Sequence, residues 1–160
     1  MYSGAEIEQT LAELGITHVV WLPDSAVGPW EAALEHSPRL KLVRVCREGE
    51  AWAVAGGLYL GGCQPLVVIQ NTGLFESGDA MRNALFDLQL PLYAIIGYRS
   101  RLIEHSTDTA MHFTEPILKA WGLDYITLAD GHLAEQLPQH YRACQEADRP
   151  GIALLPEGRM

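Results

Sequence analysis

The sequence predicts an α/β domain of three αβα layers, with helices on both faces of a six-stranded, mainly parallel sheet. Three observations carry this expectation. Apolar runs of strand length alternate with helix-period stretches from end to end. No segment rich in Pro, Gly and Ser divides the chain, so residues 1–160 read as a single domain, long enough to bury one full core. The 48% apolar and 19% charged content is that of an ordinary globular protein. Strands separated by helices pair in parallel, because each helical crossover returns the chain to the same end of the sheet.

Taken in order, Ser3 caps a helix that carries Ile7, Leu11 and Leu14 on one face and is closed by Gly15. Residues 17–22, THVVWL, form a β-branched strand ended by Pro23. A short helix over 29–35 leads to a strand over 41–45. An Ala- and Gly-rich helix follows over about 49–60, then the strand PLVVIQ over 65–70. After a loop come a helix over about 77–88 and the buried strand PLYAIIG over 91–97. Residues 98–113 show little period and many polar side chains, a long connection that marks a candidate active-site loop. A helix over 115–121, a strand over 124–128, a helix over 132–146 and a strand over 151–155 complete the chain.

Right-handed crossovers place the loops that follow the strands on one rim, where open α/β sheets bind ligands. Three unusual segments fall there: Pro23-Asp24-Ser25, Arg47-Glu48-Gly49-Glu50 and Gln70-Asn71-Thr72-Gly73. Far apart in sequence, they converge in space.

Composition narrows the function. The formal charge of -9 comes from 20 acidic and 11 basic residues spread without a long run, a surface that repels nucleic acid and anionic membrane. Cys46, Cys63 and Cys144 form no CxxC pair and no metal-ligand spacing, so they read as free thiols of a reducing compartment, with no metal expected. The N-terminus has no apolar signal core, and no apolar run approaches the roughly 20 residues that span a bilayer. A cytoplasmic protein is expected. The chain contains no GxGxxG, no P-loop and no nucleophile elbow.

The most informative stretch is Cys46-Arg47-Glu48-Gly49-Glu50-Ala51 with the helix behind it. Carboxylates in a first helical turn are favoured by the helix dipole, and that alone would explain them. The Gly56-Gly57 pair needs more, since Gly costs a helix about 0.8–1 kcal/mol relative to Ala. It suggests close approach by another backbone, a ligand or a partner. Glu48, with Gly57 nine positions on in an Ala/Gly-rich helix, resembles the pyrimidine-binding domain of thiamine diphosphate enzymes. REGEAWAVAGGLYLGG and PLVVIQNTGLFESGDAMRNALFDLQLPLYAIIGYRS are similar to the sulfopyruvate and phosphonopyruvate decarboxylases. The QNTG turn and the IGYR segment are the markers of that branch.

The resemblance implies a thiamine diphosphate-binding fold in which Glu48 hydrogen-bonds N1′ of the aminopyrimidine. It makes Asn71, Thr72 and Gly73 cofactor contacts, although an isolated NTG is also an ordinary polar turn, and family members more often carry a second Asn after this glycine. Ser25 matches the last position of a Pro-Gly-Ser turn that faces substrate, with Asp24 in place of the glycine. Arg99 matches the arginine of the branch after the fourth strand, and a guanidinium suits a tetrahedral anion. Arg101 ranks below it. His112 is a further substrate contact, and both His105 and His112 could shuttle protons, with a solvated loop as the plain alternative for both.

The Gly-Asp-Gly with downstream Asn that holds Mg²⁺ and the diphosphate in this family is absent. The expected assembly is therefore an alpha subunit with a diphosphate-binding beta subunit, α2β2 or higher. It would convert a small anionic 2-oxoacid, sulfopyruvate first and phosphonopyruvate next, to an aldehyde and CO₂. Another split thiamine diphosphate enzyme is a further alternative, and a non-catalytic α/β binding or interaction module is the alternative from another class.

Overall fold

The computed structural model describes residues 2–24, 27–128 and 131–157. Six strands, β1 (His18–Trp21), β2 (Lys41–Arg44), β3 (Pro65–Gln70), β4 (Tyr93–Tyr98), β5 (Asp124–Thr127) and β6 (Gly151–Pro156), form one sheet. Its order is β2-β1-β3-β4-β6-β5. Every pairing is parallel, so the expected mainly parallel sheet is a wholly parallel one among the described residues. The chain reverses its direction of winding between β1 and β3, which share a register of His18 against Pro65 through Trp21 against Val68. A crevice opens at such a reversal, beyond the carboxyl ends of the strands.

Successive strand residues face opposite sides, and the two cores follow that period. Leu66 and Val68 of β3, Tyr93 and Ile95 of β4, and Ala153 and Leu155 of β6 join one cluster. Val67 and Ile69, Ala94 and Ile96, and Ile152 and Leu154 join the other. The first cluster is covered by α1 (Gly4–Glu13), α2 (Glu31–Glu35) and α7 (Leu133–Glu146) through Ile7, Leu11, Leu34, Leu137 and Tyr141. The second is covered by α3 (Glu48–Leu60), α4 (Asn71–Glu76), α5 (Gly78–Arg82) and α6 (Thr109–Ala120) through Trp52, Leu74, Met81 and Leu118. Burying each such side chain stabilises the fold by about 1.5–3 kcal/mol. The three layers follow from this.

Local signals explain the ends. Ser3 caps α1 in a reciprocal capping box with Glu6. Three expectations are corrected. Residues 71–76, read as a loop, are helical, because α4 starts directly where β3 stops. The helix expected to begin at 115 begins at Thr109, where the Asp108 carboxylate accepts the Ala110 N–H at 3.0 Å as its cap. The helix expected over 77–88 is α5 followed by one π turn, Asn83–Asp87, whose wider winding lets Leu88 N–H reach the Asn83 carbonyl. No described helix is long and apolar enough to cross a membrane.

Candidate functional site

Because all six strands run the same way, Asp24 after β1, Glu48 after β2, Gln70 at the end of β3 with Thr72 beyond it, Arg99 after β4 and Glu157 after β6 share one rim. The sequence expected the first three strand ends to converge, and they do. Ser25 lies outside the described residues. Asp24, beside it, accepts the Val27 N–H at 3.0 Å and shapes the turn.

Two acidic residues of the α3 entrance have different work. Glu50 reaches back to the Cys46 N–H at 2.9 Å, satisfying a donor at the helix start. Glu76, from the end of α4, accepts the Gly49 N–H at 2.8 Å and binds the Arg47 guanidinium at 3.1 Å. That carboxylate sits where the partial positive charge of the α3 N-terminus favours it. Glu48 is half-buried, and no described residue donates a hydrogen bond to its carboxyl.

What lies against Glu48 is Gly73. A Cβ at Gly73 would come within 2.6 Å of Glu48 Oε1 and 2.8 Å of its Cδ. The glycine therefore serves as a groove for the Glu48 side chain, and needs no left-handed backbone, since α4 is helical there. Of the glycine pair in α3, Gly56 packs inward with Leu90 at 3.2 Å from its missing side chain, whereas Gly57 is exposed with open space around it.

The other residues of the QNTG segment divide by burial. Asn71 is fully buried, donating from Nδ2 to Thr114 Oγ1 at 3.1 Å, while its Oδ1 has no partner among the described residues. Its side chain thus ties α4 to α6 behind the rim. Thr72 Oγ1 donates to Gln70 Oε1 at 2.9 Å and lines a cleft of about 370 Å³ with Phe75, Arg99, Asp108, Phe113 and Ile117.

Arg99 grips Asp108 with two parallel bonds, Nε to Oδ2 at 2.7 Å and Nη2 to Oδ1 at 3.1 Å. Ser100, held at φ +63, adds a third donor to Asp108 at 3.0 Å. Arg99 and, more weakly, Ser100 and the Ala110 N–H hold the Asp108 carboxyl down at about 2 against the opposing effect of burial. His105 and His112 are exposed, the first on the loop and the second on α6, and neither joins this network. Arg101 lies over the Tyr98 ring at 6.0 Å.

Glu157 escaped the sequence reading. It is only 6% exposed, and its Oε1 has no partner among the described residues. Burial pushes its carboxyl up to about 7, with the Asp24 charge adding to the shift and Arg99 opposing it. A lone glutamate after an apolar strand carries no periodic signal, so only the fold reveals its burial.

No protein-family model matches the chain. Curated relatives do. The phosphonopyruvate decarboxylase of Streptomyces viridochromogenes is 28% identical over 167 aligned positions, which cover 99% of this chain and 41% of that protein. The phosphonopyruvate decarboxylase of Streptomyces hygroscopicus matches at the same identity and coverage. The sulfopyruvate decarboxylase of Methanosarcina acetivorans is 28% identical over 124 positions, 76% of this chain and 31% of its own length. The chain is similar to these phosphonopyruvate and sulfopyruvate decarboxylases along most or nearly all of its length. It spans about two fifths of the length of the phosphonopyruvate decarboxylases it matches. The subunit role expected from the sequence is a separate matter from this kinship.

Two outcomes follow from the geometry. Gly73→Ala drives the Glu48 side chain out of its groove while changing unfolding stability by less than about 1 kcal/mol, since Ala is the better helix former. A crystal structure of the variant checks this, and an unmoved Glu48 contradicts it. Asp108 has a folded-state pKa of about 2, below its unfolded value of about 3.9. The stability it adds is present in full above about pH 4 and lost as pH falls towards 2. Asp108→Asn therefore lowers stability at pH 7 by on the order of 1 kcal/mol, kept small by solvent screening because Arg99 is 34% exposed. In denaturation curves taken from pH 6 to pH 2, the gap from wild type closes at the acid end.

Proposed function

We propose that this chain is the pyrimidine-binding part of a thiamine diphosphate-dependent decarboxylase, and that a separate beta subunit supplies the diphosphate-binding part with its Mg²⁺. The observation that carries the proposal is the open Glu48 carboxyl in the groove made by Gly73, at the rim where the sheet reverses its winding. A carboxyl that no described residue engages, held on a rigid helix start, suits hydrogen bonding to N1′ of an aminopyrimidine. The residues present fit that end of the cofactor. None of the three strand-end segments offers the Gly-Asp-Gly pattern for its diphosphate.

Each residue then has a task. Glu48 holds a proton between its carboxyl and N1′. Gly73 keeps the space that lets Glu48 lie there, and Thr72 forms the neighbouring wall. Asn71 acts from behind, fixing α4 to α6 through Thr114. When bound, thiamine diphosphate supplies the electron sink that loss of CO₂ from a 2-oxoacid requires.

The substrate in this reading is a three-carbon 2-oxoacid ending in a tetrahedral anion, sulfopyruvate or phosphonopyruvate, giving the corresponding aldehyde and CO₂. Arg99 is the rim cation suited to that anion, with N–H donors beyond the two given to Asp108. Ser25 and His112 are further proposed contacts. Phosphonopyruvate has one specific point in its favour: relatives so named match 99% of the chain, against 76% for the sulfopyruvate decarboxylase.

The need for a covering partner is supported by the outer side of α3. Its Ala53, Gly57 and Leu60 are exposed, and Leu60 is 69% so, although the helix is apolar on nearly every side. A helix of that kind is ordinarily buried. The proposed assembly is α2β2 or a multiple.

The test combines the chain with a polypeptide carrying the diphosphate motif, thiamine diphosphate and Mg²⁺, and measures aldehyde release from both acids. Glu48→Gln lowers the rate about 10²-fold or more with melting temperature and assembly unchanged. Full activity in Glu48→Gln would refute the role of the carboxyl. No turnover of any 2-oxoacid by the assembled wild type would favour the non-catalytic binding module.

A further inference from the structure

A second cluster lies at the opposite end of the sheet, where the strands begin. Asp124 opens β5, Gly151 opens β6 and Tyr93 opens β4. Above them α7 presents His140 and Cys144, four residues apart and thus on one helix face. Cys144 is fully buried, and the His140 side chain is 10% exposed. Among the described residues this is the one group of three metal-ligating side chains whose ligand atoms come together.

We infer that Asp124, His140 and Cys144 form a three-ligand site for a zinc-class divalent cation. Geometry carries this first. Cys144 Sγ is 3.7 Å from His140 Nε2 and 3.8 Å from Asp124 Oδ2, and His140 Nε2 is 3.5 Å from Asp124 Oδ2. A tetrahedral zinc ion, with bonds of about 2.3 Å to sulfur and about 2.0–2.1 Å to nitrogen and oxygen, sets its ligand atoms about 3.3–3.6 Å apart. The three atoms already approximate one face of that tetrahedron.

The surroundings prepare the same face. The Tyr93 hydroxyl is 2.6 Å from His140 Nδ1, which fixes the ring and leaves Nε2 towards Cys144 and Asp124. Metal-binding histidines are oriented in this manner by a partner on the other ring nitrogen. Gly151 provides the room. A Cβ there would lie 2.5 Å from Cys144 Sγ and 2.7 Å from the Tyr93 ring, so only glycine admits the thiol to this position. The mixed sulfur, nitrogen and oxygen set suits zinc rather than magnesium or calcium, which take oxygen ligands.

Charge and solvent complete the site. Arg149 pairs with Asp124 and is 45% exposed, so its long side chain swings into water when a cation takes the carboxylate. Burial and the Asp124 charge push the Cys144 thiol up to about 11, and burial lowers the His140 pKa. Zn²⁺ binding exchanges the Cys144 S–H bond for a Zn–S bond, and the thiol proton passes to solvent. His140 lines a cleft of about 500 Å³ with Ile126, Gln136 and Gln139, and Asp124 lines another, so solvent reaches the ligands. Bound there, the ion pins α7 to the starts of β4, β5 and β6, away from the candidate site at the other rim.

The test uses the full chain freed of metal with a chelator. Calorimetry with Zn²⁺ should give one ion per chain and one proton released, and the melting temperature should rise with added Zn²⁺. Co²⁺ should give a sulfur-to-cobalt charge-transfer band with the intense visible bands of tetrahedral coordination. Cys144→Ser removes that band, and His140→Gln and Asp124→Asn each weaken Zn²⁺ binding 100-fold or more. Tyr93→Phe, which keeps all three ligands, weakens it about 10–100-fold. The Cys46→Ser/Cys63→Ser double variant retains every signal. Absence of saturable binding at micromolar Zn²⁺ overturns the inference, as does a signal that survives Cys144→Ser and disappears in the double variant. Should Cys144→Ser not fold, unchanged affinity in His140→Gln and Asp124→Asn overturns it equally.

Discussion

The approach of the Glu48 side chain to Gly73 is the constraint on which the rest of the candidate site depends. Two helices begin at strand ends on either side of β1, and a β-carbon at position 73 would collide with the Glu48 side chain. The parallel sheet supplies the arrangement, since β2 and β3 flank β1 and point the same way. The dipole of α3 then makes its start a favourable place for carboxylates. Glu76 and Glu50 satisfy backbone donors there, and no described residue donates a hydrogen bond to Glu48.

Around this contact, the rim is braced on two sides. Asn71 and Thr114 tie α4 to α6 from inside the core. Arg99, Asp108 and Ser100 close the loop that leads into α6, and Gln70 touches both Thr72 and Arg99. The positive φ of Ser100 is held by that network rather than by a glycine. Such bracing suits a site whose groups must be placed to within a fraction of an ångström before a ligand arrives.

Much of this was legible in the residues. The buried runs 65–70, 93–98 and 151–156 fix the central strands, and their alternation with helix-period segments fixes the parallel order. The expected grouping of the 23–25, 47–50 and 70–73 segments follows from that order alone. The start of α4 was missed because Gln-Asn-Thr-Gly reads as a turn, and tertiary packing of Gly73 against Glu48 overrides those local preferences. The start of α6 was missed amid polar residues, although Asp108 before Thr109 and Ala110 is a readable helix cap. Glu157 and Asp124 gave no signal, because what distinguishes them is burial and company assembled from distant strands. His140 and Cys144 lie one helical turn apart on α7, a spacing that is no metal motif by itself, and Asp124 comes from a distant strand.

The account stands on the direction in which one carboxyl points once the rim is covered. A crystal structure of the chain with a diphosphate-binding partner, thiamine diphosphate and Mg²⁺ measures that directly. It is expected to show a Glu48 oxygen about 2.6–3.2 Å from N1′ of the pyrimidine, above Gly73. A pyrimidine bound elsewhere, with Glu48 directed into solvent, would contradict the assignment.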